Sequence, residues 1–298
     1  MRAETETTLI SGPWRQVLRP PPLFLRDRVR PYHTFHAELT DPIERLQLPR
    51  GELVLVLGLG EPLSLEPLGL TPSRSRLESF VMGPDHGPLL GRHHGRRSCI
   101  DIGIPPWAAA EIFDGAALEL GGGAVPLDEF LGTAGRRLQE RLANARAWPE
   151  RFAALDAFLV RRATRARRRT RPEIRWAWEQ LERSGGRIPV NVLARAIGWS
   201  HRHLVACFRT QTGMTPKVAA RRIRLKRAVG KLDRHPGADI SMVAAVSDYA
   251  DQSHLTREFR ELAGCTPGAY RRHLLTGSAR PILERRQAAE PRCPSRWT

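Results

Sequence analysis

The sequence predicts an α+β N-terminal half followed by an all-α C-terminal half in which one helical unit is used twice. Three observations carry this prediction. Between Ser11 and Gly103, short apolar runs are punctuated by Gly and Pro, as in small sheets, whereas beyond about Asp128 the chain reads as capped helices. Positions between Leu204 and Pro216 recur further on at a constant offset of 51 residues. A chain of 298 residues with 41% hydrophobic content is long enough for two packed domains.

In the N-terminal half, residues 52–57 (Glu-Leu-Val-Leu-Val-Leu) form the strongest strand candidate, ending at Gly58. Shorter candidates are residues 34–39, 43–48, 77–82 and 99–104. Pro105-Pro106-Trp107 opens a helix over residues 107–113, which Gly115 stops, and Leu120-Gly121-Gly122-Gly123 is a break. Asp128 is expected to cap a helix running to about Ala145. Pro149 is expected to begin another, which ends in the basic run 161–171. His86, His93 and His94 fall in a Gly-rich stretch. No carboxylate or Cys at metal-ligand spacing accompanies them, so they read as a polar surface loop or as incidental lining of a ligand pocket. Trp107 and Trp148 are expected in the core rather than against a ligand.

The C-terminal half opens on a helix over residues 171–183, with Ile174, Trp176 and Leu181 on its apolar side and Ser184-Gly185-Gly186 as its stop. Residues 190–196 form a compact helix that Gly198 can end in a left-handed conformation. Ser200 is a suitable N-cap for the next helix, in which Leu204 and Phe208, at i and i+4, share the buried face. Gly213 closes that helix, and Pro216 begins a joining helix to Leu232. The repeat pairs Leu204 with Leu255, Phe208 with Phe259, Gly213 with Gly264, Thr215 with Thr266 and Pro216 with Pro267. In the second copy, residues 240–247 replace 190–196 and Asp248-Tyr249 replaces Gly198-Trp199, with a turn one residue longer. Helix, Gly-containing turn and second helix with a basic exposed face are the parts of a helix-turn-helix, here present twice.

Residues 171–273 resemble the DNA-binding domain of the AraC/XylS family of bacterial transcription regulators. The resemblance is carried by Ala194, Gly198-Trp199-Ser200, Leu204, Phe208, Gly213, Thr215-Pro216 and, in the joining helix, Arg222, Leu225 and Ala228. The second unit adds Asp251-Gln252, Leu255, Phe259-Arg260, Gly264, Thr266-Pro267 and Tyr270-Arg271. Asp248 departs from the family, which usually has Gly there; Asp tolerates a left-handed backbone less well, so slight strain is expected in that turn. More loosely, Leu53-Val54-Leu55, Gly58-Leu59-Gly60, Pro105, Trp107-Ala108-Ala109, Leu127-Asp128, Trp148, Arg151 and Phe152 resemble the uncharacterised sensor domain of one such regulator group. That likeness implies a small cupin-like β-barrel plus helices. The implied division is a sensor or effector-like domain over 1–165 and a DNA-binding domain over 171–275; residues 276–298, which carry Gly, Pro and Arg without a core pattern, are expected as a disordered tail.

Carried over position by position, the resemblance implies base contacts from Arg202, Val205 and Ala206 in the first unit, with Ser200, His201 and Arg209 at the margins. In the second unit it implies Gln252, Ser253, Thr256 and Arg257. Arg pairs bidentately with guanine and Gln with adenine, while Val or Ala touches a thymine methyl. The implied partner is double-stranded DNA, an operator with two adjacent major-groove half-sites. The family resemblance also admits RNA polymerase and an unidentified small-molecule effector as partners. The alternative is a basic architectural DNA binder of low sequence specificity. The run from Arg161 to Arg171 reads as a phosphate contact or as a solvated segment between domains.

The net charge of +17 points to a polyanionic partner, and the only lysines, Lys217, Lys226 and Lys231, all lie in the helical half. The N-terminus lacks the apolar core of a signal peptide, and the longest aliphatic run, residues 53–59, is too short to span a bilayer. Cys99, Cys207, Cys265 and Cys293 form no CxxC pair, so neither a disulfide framework nor a zinc site is expected. Only Cys99 precedes the repeated units, too few for the zinc-held cysteines with which some relatives repair alkylated DNA. No Ser/His/Asp set, phosphate-binding Gly loop or carboxylate pair stands out. The expectation is a cytoplasmic, nucleoid-associated protein with no catalytic residues, no metal and no cofactor.

Overall fold

A computed structural model describes residues 7–11, 14–68 and 74–276. The N-terminal part is one antiparallel sheet built around two long strands, β3 (Tyr32–Gln47) and β8 (Leu89–Ile104). With β1 (Thr7–Ser11), β2 (Trp14–Arg19), β4 (Leu53–Gly60), β7 (Phe80–Met82) and β9 (Ala124–Pro126), the order is β1-β2-β3-β8-β4-β7-β9. The first residues of β8 pair instead with β5 (Leu63–Pro67), which carries β6 (Ser75–Leu77) at its other edge.

Three strand expectations are corrected. Residues 34–39 and 43–48 belong to the single strand β3, with a register shift between Leu39 and Ile43. Pro42 lies in that gap, where its missing N–H costs no ladder bond. Residues 77–82 divide, β6 ending at Leu77 and β7 starting at Phe80. The strand expected from Cys99 begins ten residues earlier, at Leu89.

Strand β4 shows why this sheet is buried on both faces. Alternate side chains point to opposite sides of a strand. Leu53, Leu55 and Leu57 join a cluster with Ile100, Ile102, Ile104 and the helices, while Val54 and Val56 join Leu63, Leu65, Phe80, Met82 and Leu89. Covering the first face are α1 (Pro106–Ile112), α3 (Thr133–Asn144) and α4 (Trp148–Arg165). Trp107 is 2% exposed, a core residue as expected.

The helix expected from Asp128 to about Ala145 is in fact two: α2 (Leu127–Leu131) and α3. Between them Gly132 takes φ 57, ψ −138, a conformation open to glycine and little else. The N-cap of α2 is Pro126; Asp128 sits in the first turn, where its charge complements the helix dipole.

The helical part consists of α5 (Pro172–Arg183), α6 (Val190–Ala196), α7 (His201–Thr212), α8 (Pro216–Arg234), α9 (Ile240–Val246), α10 (Gln252–Ala263) and α11 (Pro267–Thr276). In α5 the buried residues are Ile174, Ala177, Trp178 and Leu181, with Trp176 only half-buried. Trp178, four residues from Ile174, is on the apolar stripe, and Trp176 is two residues off it. Of the segment expected as a disordered tail, Thr276 ends α11 and residues 277–298 lie outside the described residues.

Sheet and helices share their cores. The cluster beneath the sheet runs on through Ile174, Trp178, Leu204, Phe208 and Ala219. A second cluster joins Leu46, Leu48, Leu68 and Leu90 to Leu225, Val243, Leu255, Phe259 and Tyr270. Polar ties cross the same surface. Lys226 lies 2.7 Å from Glu52, Arg30 pairs with both Glu52 and Glu182, Arg222 bonds the Pro84 carbonyl and Asp85, and the Leu46 N–H donates to His273 Nε2 at 3.3 Å.

Candidate nucleic-acid interface

The first unit is α6, a turn and α7. Gly198 ends α6 with φ 71, and a Cβ there would meet nothing within 4 Å, so glycine answers to backbone conformation alone. Ser200 caps α7, its hydroxyl accepting from the His203 N–H at 3.2 Å. Leu204 and Phe208 are fully buried, with Phe208 stacked on Trp178 at 6.0 Å between ring centroids. That anchoring turns the opposite face outward: Ser200, His201, Arg202, Ala206 and Arg209 are exposed and Val205 is half-buried. Trp199 is wedged between the Arg171 guanidinium and the His203 ring, which fixes the turn. Gly213 closes α7 with φ 77.

The second unit, α9 and α10, repeats this with different caps. Asp239 caps α9 by accepting from the Ser241 N–H at 2.7 Å, and Asp251 caps α10 by accepting from the His254 N–H at 2.7 Å. Leu255 and Phe259 are fully buried. Gln252, Ser253 and Arg257 are exposed, Thr256 is half-buried, and with Arg260 and Glu261 they line one shallow depression. Gly264 closes the helix with φ 66.

Two features of the second unit go beyond the sequence-based expectations. Glu258, on α10 itself, is 6% exposed; its carboxylate accepts from Arg221 at 2.9 Å and from Arg224 at 3.2 Å, both on α8. Its position three residues after Leu255 places it on the apolar stripe, and that is the signal by which it could be found. Asp248, the departure from glycine, does take a left-handed conformation at φ 63, and its carboxylate engages Arg187 at 3.2 Å and Arg227.

The basic run is used largely within the molecule. Arg162 donates to the Ile112 carbonyl and lies over the Phe113 ring, Arg169 donates to the Ala163 carbonyl, and Arg168 donates to the Thr210 carbonyl near the end of α7 at 2.8 Å. The backbone N–H of Arg171 donates to Gln211 Oε1 at 2.7 Å. Asp114, after α1, accepts from the backbone N–H groups of Arg167 and Arg168, which hold its carboxyl below the usual range. The segment therefore fastens the C-terminal end of α7 to the sheet-bearing part.

The three histidines do not form a surface loop. His86 is 2% exposed, His93 lies on β8 at 7%, and only His94 is exposed. Burial pushes the imidazoles of His86 and His93 down to about 4. Among the described residues, no group of three or more His, Cys, Asp or Glu is placed to hold a metal ion. His94 borders a cleft at the sheet rim with His36, Ser98, Trp148 and Arg151. Cys99, Cys207 and Cys265 are not joined in disulfides; burial raises the Cys99 thiol to about 11. Cys293 lies outside the described residues. No helix among them is long and apolar enough to cross a membrane.

Two capped helix-turn-helix units joined by the shared helix α8 make the C-terminal part a double helix-turn-helix domain of the AraC type. Residues 193–273 match the family model described as a helix-turn-helix domain. The HTH-type transcriptional regulator GlxA of Rhizobium meliloti (strain 1021) is 29% identical over 173 residues, 57% of this chain; the match spans about half, 53%, of that relative's length. Among solved structures, ToxT from Vibrio cholerae O395 superposes with a TM-score of 0.46 at 12% identity, covering 84% of this chain and 99% of that one. The C-terminal domain of AraT, a response regulator from Geobacillus stearothermophilus, gives a TM-score of 0.33 at 21% identity, covering 35% and 88%. Likenesses this distant bear on neither ligand nor mechanism.

Proposed function

We propose that the protein is a sequence-specific DNA-binding transcription regulator in which α7 and α10 enter successive major grooves. The observation that carries this is the common construction of the two helices: each is capped at its N-terminus, anchored by a buried Leu/Phe pair, and presents a polar outward face. In a helix-turn-helix the N-terminal residues of the second helix meet base edges. On this reading Arg202 and Arg257 pair with guanine, Gln252 with adenine, and Val205 and Ala206 pack on thymine methyls. Ser200, His201, Arg209, Ser253 and Thr256 complete the contact surface. The net charge of +17 supports affinity for a phosphate backbone.

The sheet-bearing part, residues 1–165, is proposed to sense a small molecule or make regulatory contacts, RNA polymerase among them, for a DNA-reading domain over 171–275. Such a regulator works in the cytoplasm, on the nucleoid. The test is a footprint of the full chain on duplexes enriched from a random-sequence library. The expected result is two protected half-sites about 10 base pairs apart, centre to centre, on one face of the duplex. Protection confined to one groove would remove one unit from the reading, and failure to enrich any sequence would refute sequence-specific binding.

A further inference from the structure

The two units differ at the residue that turns the chain between their helices. In the first it is Gly198, left-handed and surrounded by open space; in the second it is Asp248, left-handed at φ 63. That backbone region is free for glycine and costly for other residues, and a costly conformation persists where the surroundings over-determine it. Here the surroundings are cationic. Arg187 lies 3.2 Å from Oδ1 of Asp248, and Arg227 donates to Oδ2. Arg227 also donates to the Val246 carbonyl at 3.3 Å, so it grips the turn twice.

The two arginines come from different places. Arg227 belongs to α8, whereas Arg187 lies in the loop that leads from α5 into the first unit. In that loop Gly185 is also left-handed, and a Cβ on it would collide with the Arg227 guanidinium and come within 3.1 Å of Asp248 Oδ2. Beside it, Arg224 donates to the Gly186 carbonyl at 3.0 Å and to Glu258 of α10 at 3.2 Å. The loop of the first unit, two arginines of α8 and two acids of the second unit therefore form one continuous polar contact. One of those acids sets the turn before α10, and the other sits on α10 itself.

We propose that Asp248 is a positioning residue: it ties the turn of the second unit to the loop leading into the first, and so sets the separation at which the two recognition helices meet DNA. The inference rests on the DNA reading proposed above. In the first unit Gly198 provides a turn with no side chain to hold; in the second, the carboxylate exchanges backbone ease for a fixed inter-unit geometry.

The decisive variant is Asp248→Gly, which removes the tie and relieves the left-handed backbone, so the turn is not broken by the substitution. Duplexes enriched by the parent chain are rebuilt with one base pair inserted or deleted between the half-sites, and the affinity ratio between original and altered spacing is measured. For Asp248→Gly that ratio is expected to fall by about two- to fivefold, the range partly exposed ion pairs sustain. Arg187→Ala, which leaves the turn untouched, is expected to move the ratio the same way, and the double variant to go little beyond Asp248→Gly, because the two share one contact. Asp248→Asn, which keeps an acceptor and tolerates the left-handed backbone, is expected to restore most of the preference.

In parallel, spin labels on ketone side chains installed at positions 209 and 260 report the distance between α7 and α10 in the DNA-free chain. Asp248→Gly is expected to broaden that distribution. An unchanged spacing ratio together with an unchanged distribution overturns the proposal and leaves Asp248 a local turn residue. If the library yields no enriched sequence, it is the DNA reading that falls, and the label distances alone then decide whether Asp248 ties the units together.

Discussion

Glu258 offers the sharpest test of how α10 is held. Its side chain is 8% exposed, on the inner face of α10, and accepts from Arg221 at 2.9 Å and Arg224 at 3.2 Å, with His254 Nε2 3.5 Å away. Removing one member of a buried ion pair costs about 3–5 kcal/mol, since an uncompensated charge stays behind. Here the stranded partners are not destitute: Arg221 keeps Glu261 at 2.5 Å, and Arg224 keeps the Gly186 carbonyl at 3.0 Å. Glu258→Ala is therefore expected at or just below the low end of that range, about 2–3 kcal/mol. Glu258→Gln keeps the volume and one acceptor oxygen and should cost about 1–1.5 kcal/mol. One turn of helix away, Glu261 is 58% exposed, and Glu261→Ala should leave the urea midpoint close to the parent's, because solvent screens an exposed pair. The assay is urea unfolding of the full chain followed by tryptophan fluorescence, with an unchanged slope confirming a change in stability rather than in compactness. A loss below about 0.5 kcal/mol for Glu258→Ala, or a loss for Glu261→Ala equal to it, would refute the argument that burial makes the difference.

Three further outcomes are expected. Arg257→Ala should leave stability alone, since the residue is exposed, but cost about 1–3 kcal/mol on the selected DNA and much less on a scrambled duplex; equal losses on both would make Arg257 a phosphate contact. His86 and His93, both pushed down to about 4 by burial, stay neutral in the fold while the unfolded chain takes up protons below about 6.5. Stability should then fall as pH drops from 6.5 to 4, by roughly 3 kcal/mol per histidine at most, and His86→Asn should flatten a urea-midpoint profile over that window; a parent profile already flat there would contradict the burial argument. Burial raises the Glu52 pKa, but Lys226 and Arg30 outweigh that and hold it below the usual carboxylate range, so its contribution is present above about 4.5 and lost as pH falls through the depressed value. Lys226→Ala, which leaves this 3%-exposed carboxylate to Arg30 alone, should cost about 1–3 kcal/mol at pH 7 and narrow that acid window, a prediction that a parent-like urea midpoint would defeat.

What the sequence made legible, and what it did not, follows from the range of the forces concerned. The helix-turn-helix units are written in short-range terms: Ser200 meets the N–H three residues on, Leu204 finds Phe208 one turn away, and Gly213 and Gly264 close their helices through their own backbone. Each of these acts within about four residues, so spacing alone specifies it. In α5 the same rule applies and points to Trp178, because only a residue three or four positions from Ile174 can share its face. The sheet resisted for the opposite reason. Nothing local to residues 89–98 distinguishes a strand from a polar loop, since Arg92 and His93 take their places on β8 through Glu44 and Ile43 of β3, about fifty residues away. Gly132 could be seen, but its conformation depends on how α2 and α3 meet, and a lone glycine is also tolerated inside a helix.

The charged residues divide along the same line. Arg168 and Arg257 look alike in sequence, yet one is spent on the Thr210 carbonyl and the other faces solvent. An arginine's role is set by which acceptor lies within reach of a long side chain, and that acceptor can sit anywhere in the chain. This bears directly on how the net charge of +17 should be read. Arginines that close the contact between sheet and helices, or between the two units, are already engaged by protein acceptors and contribute little to a phosphate backbone. Those left on the outer faces of α7 and α10 without a base assigned to them, Arg209 and Arg260, are the ones whose removal should lower the salt dependence of DNA binding, by about one unit of slope for each phosphate left without its cation. Arg222, buried against Pro84 and Asp85, should change that slope not at all even where its loss weakens the fold.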